Sequence, residues 1–139
     1  MRFTVASQRL YAAMDSLNLC QFVFGPAWQL YGPDDIVDLV RAVTGWEDYS
    51  YSDIEKVGER RINMMRVFNA REGFNRQQDL IPEKLFKPLK GGASDGWKLN
   101  KDEVEGALDH YFELSGWDVK SGLPKPEKLK ELDLAWTIG

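Results

Sequence analysis

The sequence predicts an all-α fold, a single domain (residues 1–139) of about five helices joined by turn-rich connections. Three observations lead to this prediction. Apolar residues recur at helical spacing in four long segments, Gly and Pro separate these segments, and no segment alternates apolar and polar residues as a strand would. A chain of 139 residues can bury one hydrophobic core without help from a metal or a disulfide.

The first two helices are marked by apolar faces and by their ends. The first is predicted over residues 3–19. Its apolar face carries Val5, Leu10, Tyr11, Met14 and Leu17. The second begins after Gly32, because Pro33 suits a first helical turn and the two aspartates that follow favour the positive end of the helix dipole. It ends at Thr44, since Gly45 stands where a left-handed cap is usual.

The third helix is predicted to be the longest. Ser52 and Glu55 match a capping box, in which each side chain binds a free backbone amide at the helix start, and the pattern continues to Gly73. Its stripe contains Ile54, Gly58, Arg61, Ile62, Met65, Phe68 and Asn69. Because Arg61 shares this stripe, we expect some polar groups of the helix to point inward or toward a partner.

The remaining elements follow from turn and cap residues. Residues 81–96 hold two prolines and three glycines, which predicts an ordered surface loop. Asn100 and Glu103 repeat the capping pattern before a helix that ends at Gly116. Its apolar stripe is Val104, Ala107, Leu108, Tyr111 and Leu114. Pro126 opens a short last helix, with Leu129 and Leu132 predicted to face inward.

Composition excludes several classes of function. The net charge is −4 and Lys and Arg are spread along the chain, so no basic stripe suits nucleic-acid phosphates. No run approaches the roughly 20 apolar residues of a membrane span. A single cysteine, Cys20, cannot form an internal disulfide and fits a reducing compartment. We therefore expect a cytoplasmic protein with neither nucleic acid nor membrane as partner.

Few residues offer catalytic or metal chemistry. The sequence has one histidine, His110. It has no further ligands at the spacing of a zinc site, and no serine stands in the motif of a catalytic triad, so we expect His110 to be packed or on the surface. Cys20 is open to two interpretations. A lone cysteine is usually a buried small apolar residue, but this one follows a helix end, where a turn can present a thiolate to an iron–sulfur cluster. A cubane cluster needs four ligands, so three would come from elsewhere.

Four segments together resemble the carboxy-terminal domain of the aldehyde ferredoxin oxidoreductase family, whose members are tungsten or molybdenum pterin enzymes. They stand in the family's order and span nearly the whole chain: residues 15–20 (DSLNLC), 58–63 (GERRIN), 68–73 (FNAREG), and 116–118 (GWD) with 122–124 (GLP). The resemblance implies the helical fold of that domain. It also implies a metal held between two pterin dithiolenes, beside a 4Fe-4S cluster.

The resemblance assigns roles to the first segment. Three cluster ligands come from a Cys-x-x-Cys-x-x-x-Cys run that this sequence lacks, and Cys20 matches the distant fourth. In the family pattern Asp-x-x-Gly-Leu-Cys, Asp15 is then the pterin hydrogen-bond partner and Leu19 a backbone contact. Asn18 replaces the glycine. If that glycine provides a positive φ, asparagine is the next most tolerant residue, whereas a glycine needed for its small size would make Asn18 hinder pterin contact.

We therefore expect this chain to be the terminal domain of a larger oxidoreductase, inactive alone and binding no cofactor by itself. The parent would oxidise aldehydes to carboxylates, and its N-terminal domains or subunit, together with ferredoxin as electron acceptor, would be the partners. Such a domain should expose an apolar patch near Cys20, formed by the first helix and residues 22–24 with Trp28 nearby, although ordinary core packing is the other interpretation. The alternative function is a cofactor-free helical protein-interaction domain.

Overall fold

The fold is all-α, as predicted, in the computed structural model, which describes residues 1–25 and 31–138. These residues contain six α-helices, α1 to α6, and no strand. In chain order they are Arg2–Ser16, Gln21–Phe24, Pro33–Thr44, Tyr51–Arg71, Lys101–Ser115 and Pro126–Glu131. Short 3₁₀ turns lie at Arg76–Gln78, Glu83–Phe86, Gly92–Ser94 and Ala135–Thr137. The four-residue α2 was not predicted, because so short a helix shows no periodicity.

Helices α1 and α4 pack along each other and form the centre of the fold. Gly58 of α4 lies against the backbone of α1, where a Cβ atom would come within 1.8 Å of the carbonyl oxygen of Arg9. The main apolar core cluster consists of Leu10, Ala13, Met14, Ile36, Val37 and Ile54. Burying a Leu, Ile or Met side chain contributes about 1.5–3 kcal/mol, so this cluster accounts for much of the folding free energy.

Local chemistry fixes most helix ends as predicted. The N–H of Gly32 donates to Asp35 at the start of α3, and Gly45 ends that helix at φ +74°. Asn100 accepts the N–H groups of Asp102 and Glu103 at the start of α5. Gly116 ends α5 at φ +72°.

The predicted start of α4 was wrong by two residues. The cap is Ser50, whose N–H and hydroxyl both donate to the carboxylate of Asp53, at 2.8 and 2.6 Å. Ser52 and Glu55 lie inside the helix instead. Two serines each had an acid three residues later, and the pair that forms is the one with the shorter acid side chain. The carboxylate interactions lower the pKa of Asp53, with the Ser50 hydroxyl as the largest cause.

Several predicted core positions lie at the surface. Leu17, Met65 and Phe68 are all exposed, although each lies on the predicted apolar face of its helix. Residues 81–96 form the predicted surface loop, which is closed where Leu89 and Trp97 pair through the backbone. Leu129, Leu132 and Leu134 form a second small cluster near the C-terminus. None of the described helices combines the length and apolarity that a bilayer crossing requires.

Candidate functional site

The C-terminal end of α1 forms a tight turn that leads to Cys20. The N–H of Leu19 donates to the carbonyl of Met14 at 2.9 Å, and the N–H of Asn18 donates to that of Asp15 at 3.3 Å. These two bonds are those of a Schellman cap, which requires a residue in the left-handed conformation directly after the end of the helix. Asn18 is that residue, with φ +56°. Leu19 then packs against the core cluster, which anchors the turn.

Cys20 is an exposed residue, which excludes its interpretation as a buried apolar residue. Cys20 precedes α2, and its carbonyl accepts the N–H groups of Val23 and Phe24, both at 3.0 Å. Phe22 beside it is fully exposed, and Val23 is partly exposed. Phe24 turns the other way and packs against the core. The predicted neighbour Trp28 lies outside the described residues.

Asp15 carries a carboxylate that is held from two sides. Arg61 of α4 approaches one oxygen with its Nη1 at 2.8 Å, and the side-chain amide of Gln21 donates to the other at 3.1 Å. The same Nη1 of Arg61 also donates to the carbonyl of Ala12 at 3.0 Å. Some polar groups of this helix were expected to point inward or toward a partner, and Arg61 reaches the end of α1 within the same chain. A carboxylate has about four acceptor positions, so Asp15 keeps capacity for further donors.

Apart from the contact of Arg61 with Asp15, the segments 58–63 and 116–118 contact each other and neighbouring helices. Glu59, which is buried, pairs with Arg9 at 2.6 Å and with Lys128 at 3.3 Å. Asn63 is also buried, and its side-chain oxygen accepts the indole N–H of Trp117 at 2.9 Å. These contacts lock α4 to α1, to the turn at residues 116–118 and to α6. The segments 58–63 and 116–118 therefore build the scaffold behind the turn at residues 15–20.

A second network joins the end of α4 to the following loops. Arg66 makes a two-bond pair with the carboxylate of Asp79, donates from Nε to the carbonyl of Gly122 at 2.7 Å and lies 4.8 Å from the ring centre of Trp117. Next to it, the N–H and hydroxyl of Ser121 donate to Asp118 and lower the pKa of that carboxyl. This network is fully paired, and its role is structural.

Elsewhere in residues 1–25 and 31–138, no other place brings together a comparable set of groups. A cavity of about 610 Å³ lies between residues 76–86 and α5, but its charged side chains are largely paired with one another or with neighbours, as Lys101 is with Glu83. His110 lies on the surface near Glu113, which is one of the two placements expected for it. Among the described residues, no three His, Cys, Asp or Glu side chains come together in a way that could hold a metal ion.

The sequence predicts Asp15, Asn18, Leu19 and Cys20 as site residues, and the structure places all four at the C-terminal end of α1 and the turn that follows it. The sequence does not predict Gln21, whose amide closes that turn by binding back to Asp15. The signal for Gln21 was weak, because a polar residue after the cysteine has no pattern of its own. Arg61 was noted for its position on an apolar stripe, but its partner Asp15 was not foreseen.

Comparison with known proteins gives a consistent picture. Residues 1–134 match the family model described as aldehyde ferredoxin oxidoreductase, domains 2 and 3. The tungsten-containing aldehyde ferredoxin oxidoreductase of Pyrococcus furiosus is 36% identical over 138 residues, which are 97% of this chain and 21% of that protein. The enzyme of the same name from Thermococcus kodakarensis is 33% identical over 138 residues. This chain thus spans about a fifth of the length of these relatives.

More distant similarities agree on the fold. An aliphatic sulfonate oxidoreductase, WOR-like subunit, of Pyrococcus furiosus is 27% identical over 128 residues. The active site complex BamBC of benzoyl coenzyme A reductase superposes with a TM-score of 0.76, at 22% identity, over 96% of this chain and 19% of that chain. This structural match supports the helical fold alone.

Proposed function

This chain belongs to the aldehyde ferredoxin oxidoreductase family, and from that premise we propose that it supplies one ligand of a 4Fe-4S cluster and part of a pterin-metal site in a larger oxidoreductase. Cys20 is the proposed cluster ligand. Asp15 and the turn through Asn18 and Leu19 are the proposed pterin contacts. The observation that carries the proposal is the exposed position of Cys20 at the end of a turn fixed by two backbone hydrogen bonds.

The chemistry of Cys20 fits a shared cluster. A 4Fe-4S cluster takes four thiolates, and this chain has one cysteine. A ligand on a fixed turn loses less conformational freedom on binding than one on a free loop. The other three thiolates must come from polypeptide outside this sequence. The cytoplasm, whose thiols stay reduced, is the location this proposal requires.

The turn also fits a planar ring with N–H donors. The carboxylate of Asp15 is partly exposed and keeps acceptor positions beyond those used by Arg61 and Gln21. Asn18 adopts φ +56°, which is the conformation that the family's glycine would provide, and this supports the interpretation that the position needs a positive φ. Leu19 packs its side chain inward, which keeps the backbone of the turn fixed.

We propose aldehyde oxidation as the reaction of the parent enzyme. When bound, a tungsten or molybdenum bis-pterin would supply the two-electron oxidation of an aldehyde to a carboxylate, with water as the source of the added oxygen, and a 4Fe-4S cluster would provide the route by which the two electrons leave to ferredoxin. The part of this chain is to hold and orient: Cys20 binds iron, Asp15 accepts pterin N–H groups, and α1 and α4 keep the two in place. The chain alone is expected to have no aldehyde-oxidising activity.

We propose that the remaining polypeptide of the parent covers the surface beside Cys20. Phe22 is fully exposed and Val23 is partly exposed, and both follow Cys20 closely in the chain. A cluster bound by Cys20 needs three further ligands from other polypeptide. Apolar side chains next to Cys20 are suited to an interface with that polypeptide, and such an interface would also exclude water from the cluster.

The experiment compares iron in the full-length protein that carries this chain, before and after Cys20→Ala. Iron per protein and the electron paramagnetic resonance signal of the reduced cluster are measured after anaerobic purification. Ser16→Ala is the matched control, because Ser16 is exposed in the same turn and its hydroxyl binds only its own helix at Ala12. We expect loss of the cluster signal in Cys20→Ala and full iron in Ser16→Ala. Full iron and an unchanged signal in Cys20→Ala would point instead to a cofactor-free interaction domain.

A further inference from the structure

Asp15 occupies a position that is electrostatically unfavourable for an acid. It lies in the last turn of α1, where the helix dipole is negative. The turn itself, residues 13–16, has no basic residue to compensate. An aspartate at such a position costs roughly 0.3–1 kcal/mol relative to a neutral residue unless another element supplies positive charge.

Arg61 supplies that charge from α4. Its Nη1 lies 2.8 Å from one carboxylate oxygen of Asp15 and 3.0 Å from the carbonyl of Ala12 in the same helix turn. The guanidinium thus compensates both the carboxylate and the negative helix end. From the opposite side, the amide of Gln21 donates to the second oxygen of Asp15 at 3.1 Å. The carboxylate is therefore oriented by two donors from two different elements.

Stability alone does not account for this arrangement. The side chains of Arg61 and Asp15 are 32% and 43% exposed, and ion pairs at such positions contribute little, typically about 0–1 kcal/mol. A neutral residue at position 15 would remove the unfavourable dipole interaction altogether. What the pair does provide is a fixed direction for a carboxylate that stands five residues before Cys20, with Gln21 linking that carboxylate to the residue after the cysteine.

We propose that Arg61 is a positioning residue for the pterin site. It fixes the carboxylate of Asp15 so that the acceptor positions left free by Arg61 and Gln21 are available to pterin N–H groups. This inference rests on the proposed function. It adds a residue outside the motif of the turn, and it gives a reason for an arginine on the predicted apolar stripe of α4.

The experiment uses the full-length protein that carries this chain, purified with its cofactors. Arg61→Met removes the charge, and Arg61→Lys keeps it without the planar guanidinium. Arg60→Met is the matched control. Arg60 is the neighbouring arginine of the same helix, is similarly exposed, and binds Leu132 and Asp133 instead. Tungsten, molybdenum and iron per protein are measured after dialysis, together with the thermal midpoint of unfolding.

We expect Arg61→Met to retain about tenfold less tungsten or molybdenum than wild type, as removal of a residue that orients a binding group commonly causes. Its iron content and thermal midpoint should stay close to those of Arg60→Met. Arg61→Lys should recover part of the lost metal. Equal tungsten or molybdenum in Arg61→Met and Arg60→Met would overturn the inference. So would loss of iron together with a thermal midpoint well below that of Arg60→Met, because a structural role predicts that result.

Asp15→Asn and Cys20→Ala separate this inference from the function on which it rests. If both of them lose their cofactor while Arg61→Met loses none, the proposed function stands and the positioning role of Arg61 is wrong. If neither of them loses a cofactor, the proposed function is wrong and the inference fails with it.

Discussion

Gly58 of α4 lies directly against the backbone of Arg9 on α1, so closely that a single methyl group has no room between the two helices. A Cβ atom at Gly58 would lie 1.8 Å from the carbonyl oxygen and 2.6 Å from the carbonyl carbon of Arg9. This close approach brings Arg9 to Glu59 and lets Arg61 reach the end of α1. The candidate site therefore depends on one position where only glycine fits.

Gly58→Ala should destabilise the protein by about 3 kcal/mol, because the added methyl group collides with backbone atoms that cannot rotate away. Gly106→Ala is the matched control. Gly106 also lies within a helix, α5, but has no atom within 4 Å of its would-be Cβ. This control should gain about 0.5–1 kcal/mol from helix propensity. Urea unfolding followed by circular dichroism measures both, and similar effects of the two substitutions would contradict the packing described.

Asn18 should tolerate glycine but not alanine. Its φ of +56° costs a side chain with a Cβ roughly 1–2 kcal/mol, and asparagine avoids part of this cost. We expect Asn18→Gly to leave the free energy of unfolding equal or slightly higher, and Asn18→Ala to lower it by about 1 kcal/mol. Denaturant titration of the two variants decides this. A stabilising Asn18→Ala would mean that the turn is not left-handed.

The buried hydrogen bond from Trp117 to Asn63 should contribute more to stability than side-chain groups at exposed positions of the same helix. Asn63→Ala leaves the buried indole N–H of Trp117 without its partner, at a cost of about 1–3 kcal/mol. Asn69→Ala, at an exposed position of the same helix, should change stability by less than about 0.5 kcal/mol. The near-ultraviolet circular dichroism of Trp117 should change only in the first variant. An unchanged spectrum and stability in Asn63→Ala would show that the bond does not form.

The cap of α4 predicts a loss of stability in acid. Interactions with Ser50 hold the pKa of Asp53 below its ordinary value of 3.8, with the Ser50 hydroxyl as the first cause and its N–H as the second. A carboxyl whose folded pKa is lowered stabilises the fold at pH values above its unfolded pKa, and this contribution disappears as pH falls through the folded value. Between roughly pH 5 and pH 2, wild type should therefore lose more stability than Asp53→Asn does.

Ser50→Ala provides the comparison for this pH dependence, because it removes the hydroxyl that is the largest cause of the lowered pKa of Asp53. Its acid-dependent loss of stability should lie between those of wild type and Asp53→Asn. Urea titrations at several pH values measure the three proteins side by side. Parallel curves for all three would show that the carboxylate of Asp53 is not held by Ser50.

Elements with strong local signals could be predicted from the sequence. Pro33 and Gly45 bound α3, and Asn100 and Gly116 bound α5, because each residue satisfies backbone groups or adopts a conformation that few others can. The start of α4 was misplaced because two serines had equivalent patterns, and only the geometry of the chain selects Ser50. Periodicity also predicts a face without showing what covers it, which is why Met65 and Phe68 were expected in the core.

The candidate site was predictable in part. The residues of the turn could be named because they match the family pattern Asp-x-x-Gly-Leu-Cys at all but one position, and the positive φ at Asn18 was one of two stated alternatives. The ion pair of Arg61 with Asp15 and the hydrogen bond from Gln21 to Asp15 could not be predicted, because such contacts depend on how the helices are placed relative to each other. Glu59 shows the same limit: a charged residue on a helix is normally solvated, yet Arg9 and Lys128 make its burial possible here.

Alkylation of Cys20 tests the central claim most directly. The full-length protein that carries this chain is treated with iodoacetamide under anaerobic conditions, once with its iron and once after the iron has been removed by chelation. Mass spectrometry then measures modification of the peptide that contains Cys20. The account predicts an unmodified thiol in the iron-loaded protein and a modified thiol after removal. Equal modification in the two states, whether high or low, would contradict it.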